Sequence, residues 1–423
     1  MARARATVTI LVASAVAAVA GGLLVARNGV TPDLPVTARL IPGARVASDA
    51  AALTEEAIRL YAAGHFAHAC ERFRTAAERD PDSAARREDA WRCFEGWGWQ
   101  ALAEGRAAEA MALFGQALRE APDAPELLRG LGVSAVHAGR PVEAIAPLEA
   151  VARATGDADV RMVLAHLYDR RDETPRAVHH LEAVIARDAR HEGARRLLAK
   201  LERERRAESG FERETASGFV LKWPAGTTDD RRRVVRDLLA AARGRLEREL
   251  AYRPAEPVTV VLYVDADFRA VTGAHTWASG VFDGKIRLPI GAPERDLRQL
   301  VLHEYAHAAI HELTRGRAPR WLHEGLAQAI EGVVLDPMLR VPSTLTLAGV
   351  EALVTDPDAV RARTGYDLSR WIVHDLLDRG GMGRARELLG RLGGGEALDP
   401  ALARVYGLGL ADLEAQWRRV LGG

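Results

Sequence analysis

The spacing of apolar and polar positions divides the chain into stretches of different character. Thr7 to Val25 is a mostly apolar run without a charge, preceded by Arg3 and Arg5 and ended by Arg27 and Asn28. That length predicts a membrane helix whose positive end stays in the cytoplasm while the rest is exported. Ala18-Val19-Ala20 also offers a small-residue cleavage site, so residues 1–30 read as a signal anchor or a signal peptide. Residues 31–48, with Pro32, Pro35 and Pro42, read as an extended linker. From 49 to 205 the period is helical and a longer repeat is superposed on it. Gly64, Phe66, Ala69, Phe73, Ala76 and Pro81 recur at identical internal offsets as Gly105, Ala107, Ala110, Phe114, Ala117 and Pro122. Gly139, Pro141, Ala144 and Leu148 follow 34 residues on, and Ala177, Leu181 and Val184 form a weaker fourth copy. The longer interval between the first two copies predicts extra residues around Asp82 to Glu88.

Beyond the charged stretch Leu201 to Glu214 the pattern changes. Asp229 to Glu249 reads as an amphipathic helix with Val234, Leu238, Leu239, Ala242 and Leu246 on one face and a solvated Arg-rich side. Val258 to Val264 is a β-rich run without a breaker. Trp277 to Pro289 reads as a hairpin turning at Asp283-Gly284. Leu297 to Leu313 holds no Pro or Gly and reads as a helix; Thr314 to Arg320 is a breaker-rich loop; and Pro319 suits the start of the next helix. Gly332 to Pro357 carries no interpretable motif.

The first of these two helices carries His303-Glu304-Tyr305-Ala306-His307. Helix positions i and i+4 share a face, so both imidazoles can reach one metal ion, while Glu304 sits one step round and can reach a water beside it. The next helix carries Trp321-Leu322-His323-Glu324-Gly325. Folded back antiparallel, it would bring Glu324 beside the two His. Three protein ligands with a fourth position left for water are the pattern of a catalytic zinc site. His311 is two turns from His303 along the same face, and His323 points elsewhere from Glu324; both are rivals for third ligand.

HEYAH followed by PRWLHEGLA resembles the gluzincin zinc metallopeptidases, in particular bacterial peptidase-MA-like domains, over roughly Phe219 to the C-terminus. The resemblance implies His303, His307 and Glu324 as ligands of one Zn2+ per chain, Glu304 as catalytic base and a peptide or protein substrate. Such enzymes often supply an oxyanion donor from a downstream helix. Tyr366, which opens the apolar run Leu368 to Leu377, is the candidate and His374 the runner-up. Gln328, one turn after Glu324, could hydrogen-bond a ligand. Ser279 to Phe282 is the candidate for the edge strand on which zincins pair the substrate backbone. The N-terminal copies resemble TPR helix–turn–helix units, which implies a groove for a protein partner. The expected fold is therefore α+β: an N-terminal membrane helix, an all-α TPR solenoid over 49–205, then a zincin-like domain over 211–423.

Composition narrows the picture further. The formal charge is zero and about half the residues are apolar, so nothing points to nucleic acid as a partner. Lys200, Lys222 and Lys285 are the only lysines in a chain with 58 Lys plus Arg. Cys70 and Cys93 are the only cysteines, and export would permit a disulfide between adjacent helices, with two buried thiols as the alternative. Two functions fit this sequence. One is an exported, membrane-anchored or secreted zinc peptidase whose repeats recruit substrate; the other is a TPR scaffold with a catalytically idle zincin domain.

Overall fold

The structure, a computed structural model, describes residues 47–272, 280–336, 339–340 and 344–421. The expected membrane segment lies outside these residues. No helix among the described residues is long and apolar enough to cross a membrane. The described chain is mostly helical with one small sheet, and it divides into two compact units. Of the described residues, the first holds those from 47 to Leu167 together with His179–Ala194; the second holds Tyr168–Val178 and those from Arg195 on.

The first unit is a stack of antiparallel helices: α1 (Ala47–Ala62), α2 (Phe66–Arg79), α3 (Ala84–Ala103), α4 (Ala107–Glu120), α5 (Pro125–His137) and α6 (Pro141–Thr155), each packed on the next. The repeated Gly64, Gly105 and Gly139 all adopt positive φ, at 79°, 80° and 73°, which is the left-handed turn that lets one helix fold back on the last. Gly130 lets α5 approach closely: a Cβ there would lie 2.2 Å from the Phe114 ring. The longer first interval has a simple cause. It exceeds the second by 41 − 34 = 7 residues, and α3 is longer than α5 by 20 − 13 = 7. The insertion is two further turns of helix, opened by Ser83 capping the Arg86 amide. Cys70 on α2 and Cys93 on α3 form a disulfide with Cα atoms 5.4 Å apart. Helices α7 (Ala158–Arg170), α8 (Thr174–Arg187) and α9 (Glu192–Ala207) follow. The end of α7, the start of α8 and most of α9 belong to the second unit.

That unit is built on five strands: β1 (Glu212–Ala216), β2 (Phe219–Trp223), β3 (Val258–Tyr263), β4 (Val281–Phe282) and β5 (Ile286–Pro289), in the spatial order β1-β2-β3-β5-β4. β2, β3 and β5 run parallel, joined by the crossover helices α10 (Asp229–Leu250) and α11 (Asp265–Thr272). β1 and β4 are antiparallel edges; β4 is the outer strand of a hairpin in which Val281 faces Arg287 and Phe282 faces Ile286. Strand alternation sorts the side chains between two faces. Phe219, Leu221, Trp223, Val260, Leu262, Ile286 and Leu288 enter the main core with α10 and the C-terminal helices, whereas Val261, Tyr263 and Val281 form a smaller cluster with Phe268 and Val271. The main core also receives α12 (Glu294–Thr314), α13 (Arg320–Glu331), α14 (Leu347–Val354), α15 (Ala359–Gly393, broken at Gly381), α16 (Leu398–Tyr406) and α17 (Leu410–Leu421). The Arg-rich side of α10 is not merely solvated. Arg231 donates to the Ile290 carbonyl at 2.9 Å, and Arg236 pairs with Glu214 at 2.9 Å, so this side ties the helix to its neighbours.

Candidate metal centre and active site

Helix α12 is buried on one face from Leu297 and around its whole circumference from His303 to Ile310. It ends where Arg315 and Gly316 take positive φ, at 52° and 71°, and Pro319 then opens α13 in the reverse direction. α13 also packs against α15, and Gly325 is the reason it can come so close. A Cβ at Gly325 would lie 2.2 Å from the Ser369 carbonyl oxygen and 2.4 Å from Val373. The glycine after Glu324 is therefore a packing requirement, and it sets the depth at which the Glu324 carboxylate faces α12.

His303 Nε2 and His307 Nε2 lie 3.0 Å apart, and each is 3.5 Å from Glu324 Oε2. Zinc holds N and O ligands at about 2.0–2.2 Å in a tetrahedron, which separates the ligand atoms by roughly 3.3–3.6 Å. The two edges to Glu324 fall in that range, and the His303–His307 edge is about 0.3 Å shorter than its lower end. All three side chains are buried, and they are the group among the described residues that could hold a metal ion. With its proton on Nδ1, His303 donates to Glu331 Oε2 at 2.9 Å. With the proton on Nδ1, the Nε2 lone pair faces the centre of the triangle.

The electrostatics favour a positive charge at that centre. Burial opposes charging His303, but hydrogen bonding and charge from Glu324 and Glu331 push its pKa up to about 10. Burial alone would raise Glu324; His307 and His303 instead bring it down to about 2. Glu304 behaves differently. Burial, with the charges of Glu324, Glu331 and Asp283, pushes its carboxyl up to about 8 against the opposing pull of His303. Neither Glu304 carboxylate oxygen has a hydrogen-bond partner. A buried carboxylate left unpaired in this way is costly unless its occupation is functional. Residues of this chemistry in this geometry fit zinc.

Residues 101–167 match the tetratricopeptide repeat family model, and residues 240–423 match that of the Peptidase MA superfamily. The chain carries a Peptidase MA superfamily domain. No curated protein matches the chain. Among solved structures it is similar to one titled "MamA D159K mutant 1", with 16% identity over 37% of this chain and 87% of that one and a TM-score of 0.28. A second is the crystal structure of the P58(IPK) TPR domain, with 11% identity over 84% of this chain and 79% of that one and a TM-score of 0.27. Both TM-scores are too low to bear on the fold.

Around the triangle, the Peptidase MA domain arranges the remaining candidates unequally. Tyr366 on α15 is buried beside Glu324 and Glu304; burial and then those two charges hold its hydroxyl well above the usual phenol range. His374, the other candidate donor, lies two turns further along α15, half-buried, and pairs with Asp378 at 2.9 Å. Gln328 does not touch a ligand side chain. Its amide nitrogen donates to the backbone carbonyls of Glu324 at 3.3 Å and Tyr366 at 2.9 Å, which ties the two helices together at the level of the site. His311 is half-buried against Phe282 and Gly316, and His323 packs beside the His307 ring at 5.8 Å. Neither joins the triangle.

Of the expected edge strand, Ser279 lies outside the described residues, and Val281–Phe282 form the sheet edge β4. Gly280, just before β4, runs directly over Glu304: a Cβ there would come within 2.6 Å of Glu304 Oε1. The residue that sequence reasoning missed is Glu331. It follows Glu324 by seven positions and so returns to the same face of α13 after two turns. That spacing was the available signal.

Proposed function

We propose that the Peptidase MA domain is a gluzincin-type, zinc-dependent hydrolase of peptide bonds, with a zincin-like α+β fold. The observation that carries the reading is the approach of His303, His307 and Glu324 to tetrahedral ligand spacing beside the unpaired carboxylate of Glu304. Zinc held there by these three side chains would acidify a water and polarise the scissile carbonyl. Glu304 accepts the proton of the attacking water and later delivers it to the leaving amine. A pKa raised toward neutrality suits both duties. The Tyr366 hydroxyl, kept protonated, donates to the oxygen on which negative charge develops. Glu331 holds the His303 ring in its tautomer and orientation. An extended substrate segment pairs with β4, which leads the backbone past Glu304.

The helical repeats recruit a protein substrate or partner, and the body of the chain works on the exported side of a membrane. The Cys70–Cys93 disulfide supports an oxidising compartment. The decisive experiment compares peptide hydrolysis by the zinc-loaded chain with that of Glu304→Gln. The expected result is a fall in kcat of about 10²–10⁴ with zinc still bound. Full activity in that variant would reject Glu304 as the base, and an inactive parent with no bound zinc would favour a scaffold role instead.

A further inference from the structure

The chain's only lysines, Lys200, Lys222 and Lys285, come from distant points in the sequence and meet at one place. They lie on the face of the sheet away from the main core, within the second unit, among the carboxylates of Asp169, Asp172, Glu204, Glu208 and Asp283. Lys285 Nζ touches three carboxylates, Asp169 at 3.0 Å, Asp172 at 3.3 Å and Glu204 at 3.4 Å. Lys200 Nζ also touches three, Asp169 at 2.9 Å, Glu204 at 3.2 Å and Asp283 at 3.0 Å. Arg287 completes the cluster: its guanidinium reaches Glu204 at 2.9 Å, Asp283 at 3.1 Å and the Tyr263 hydroxyl at 2.7 Å, with no exposure to solvent.

Charges this deeply buried are a poor route to stability by themselves, because desolvation offsets much of the attraction. What they fix well is relative position. A compact ammonium has three donors that rotate to separate acceptors, whereas the guanidinium fork is planar and rigid. At Lys200 and Lys285, lysine in a chain that otherwise uses arginine matches that three-way geometry, and Lys222 joins two of the carboxylates, Asp172 and Glu208.

The cluster leads to the active site by short steps. Asp283 and Lys285 are the ends of the β4–β5 turn, where the Asp283 amide donates to the Lys285 carbonyl at 3.2 Å. Arg287 on β5 is the register partner of Val281 on β4. Val281 adjoins Gly280, the residue that runs over Glu304. The carboxylates at the other end belong to the last turn of α7, the residues just after it, the C-terminal part of α9 and the residue that follows α9.

We propose that this buried charge cluster is the positioning device of the edge strand. Lys285 and Arg287 hold the β4–β5 hairpin at the height and register at which a substrate backbone paired with β4 meets Glu304, and they tie that position to the end of α7 and to α9 within the same unit. As far as substrate is concerned, the inference rests on the peptidase reading above.

The test uses the full zinc-loaded chain carrying Lys285→Met together with Asp169→Asn, which removes one charge of each sign and leaves the cluster's net charge unchanged. Zinc content, amide hydrogen exchange of residues 280–289 and peptide hydrolysis are measured together. The expected result is unchanged zinc, faster exchange in the hairpin and a KM raised about tenfold with a smaller change in kcat, as loss of uniform substrate binding requires. A folded, zinc-loaded double variant with parental exchange in the hairpin and parental KM would overturn the proposal. If the double variant does not fold, Lys285→Arg decides: it keeps the charge but not the three-way geometry. Faster hairpin exchange supports the proposal, and parental exchange overturns it. A parent that binds zinc but cleaves no peptide would defeat the peptidase reading, and the exchange measurement would still decide whether the cluster positions the strand.

Discussion

Replacing Glu331 by Ala tests how the metal centre is held. Glu331 Oε2 lies 2.9 Å from His303 Nδ1, and both side chains are buried, at 7% and 2% exposure. A hydrogen bond to a charged partner contributes about 1.5–3 kcal/mol. At 1.4 kcal/mol per decade, its loss corresponds to zinc affinity weakened roughly 10–100-fold, the range typical of partners that orient metal-binding histidines. Two effects combine. The His303 ring loses the group that fixes its orientation, and a buried N–H is left without an acceptor. Glu331→Gln keeps an acceptor oxygen in reach without the charge, so its loss falls between parent and Glu331→Ala. Competition with a chelator at neutral pH gives the affinities, and circular dichroism shows whether each variant is folded. A folded Glu331→Ala chain that binds zinc within about twofold of the parent would refute the reasoning, since that change is smaller than any expected for such a partner.

Three other outcomes follow from the same geometry. Tyr366→Phe removes the hydroxyl beside Glu304 and Glu324 while leaving the buried ring, so kcat falls about 10²-fold with zinc affinity little changed; an unaltered kcat would exclude Tyr366 as the donor. Gly325→Ala forces a methyl against the Ser369 carbonyl and Val373, at a cost of about 1–3 kcal/mol, read as a lower thermal midpoint; an unchanged midpoint would contradict the close packing of α13 on α15. The third concerns acid. Burial would raise the carboxyls of Asp169, Asp172 and Asp283, but Lys285, Lys200, Lys222 and Arg287 more than offset it and hold all three below their usual values. Their folded pKa values are thus depressed, so their stabilisation is complete above the unfolded Asp pKa of about 3.9 and is lost as pH falls below it. Denaturant midpoints of the zinc-loaded chain between pH 6 and 3 should drop steeply at the acid end, and a flat profile would contradict the cluster.

Much of this arrangement was legible from local pattern. The helix under HEYAH, the restart at Pro319, the turn at Asp283-Gly284 and the repeated glycines all depend on short-range rules of period and backbone conformation. The extra residues between the first two repeats were placed close to where α3 begins its added turns. What was not legible depends on contacts distant in sequence. Nothing local says that Lys200, Lys222 and Lys285 meet, because their meeting is set by how strands β2 and β5 and helix α9 assemble. Gln328 has the right spacing to reach a ligand, yet its amide is drawn to the backbone carbonyls of Glu324 and Tyr366 once α15 lies against α13. Which of Tyr366 and His374 lies beside the triangle likewise depends on the face of α15 that meets it, and an apolar run alone does not specify that face. The Arg-rich side of α10 was read as solvated because its acceptors, Ile290 and Glu214, come from elsewhere in the chain.

The claim on which all of this depends is that two imidazoles and one carboxylate share a single zinc ion. X-ray absorption at the zinc edge of the purified, reconstituted chain tests it most directly. The account predicts one tightly held zinc with two imidazole nitrogens and oxygen donors at about 2.0–2.2 Å, and loss of the imidazole signal when His303 and His307 are replaced by Ala. A chain that retains no zinc, or a zinc whose coordination is unaffected by removing those two histidines, would contradict it.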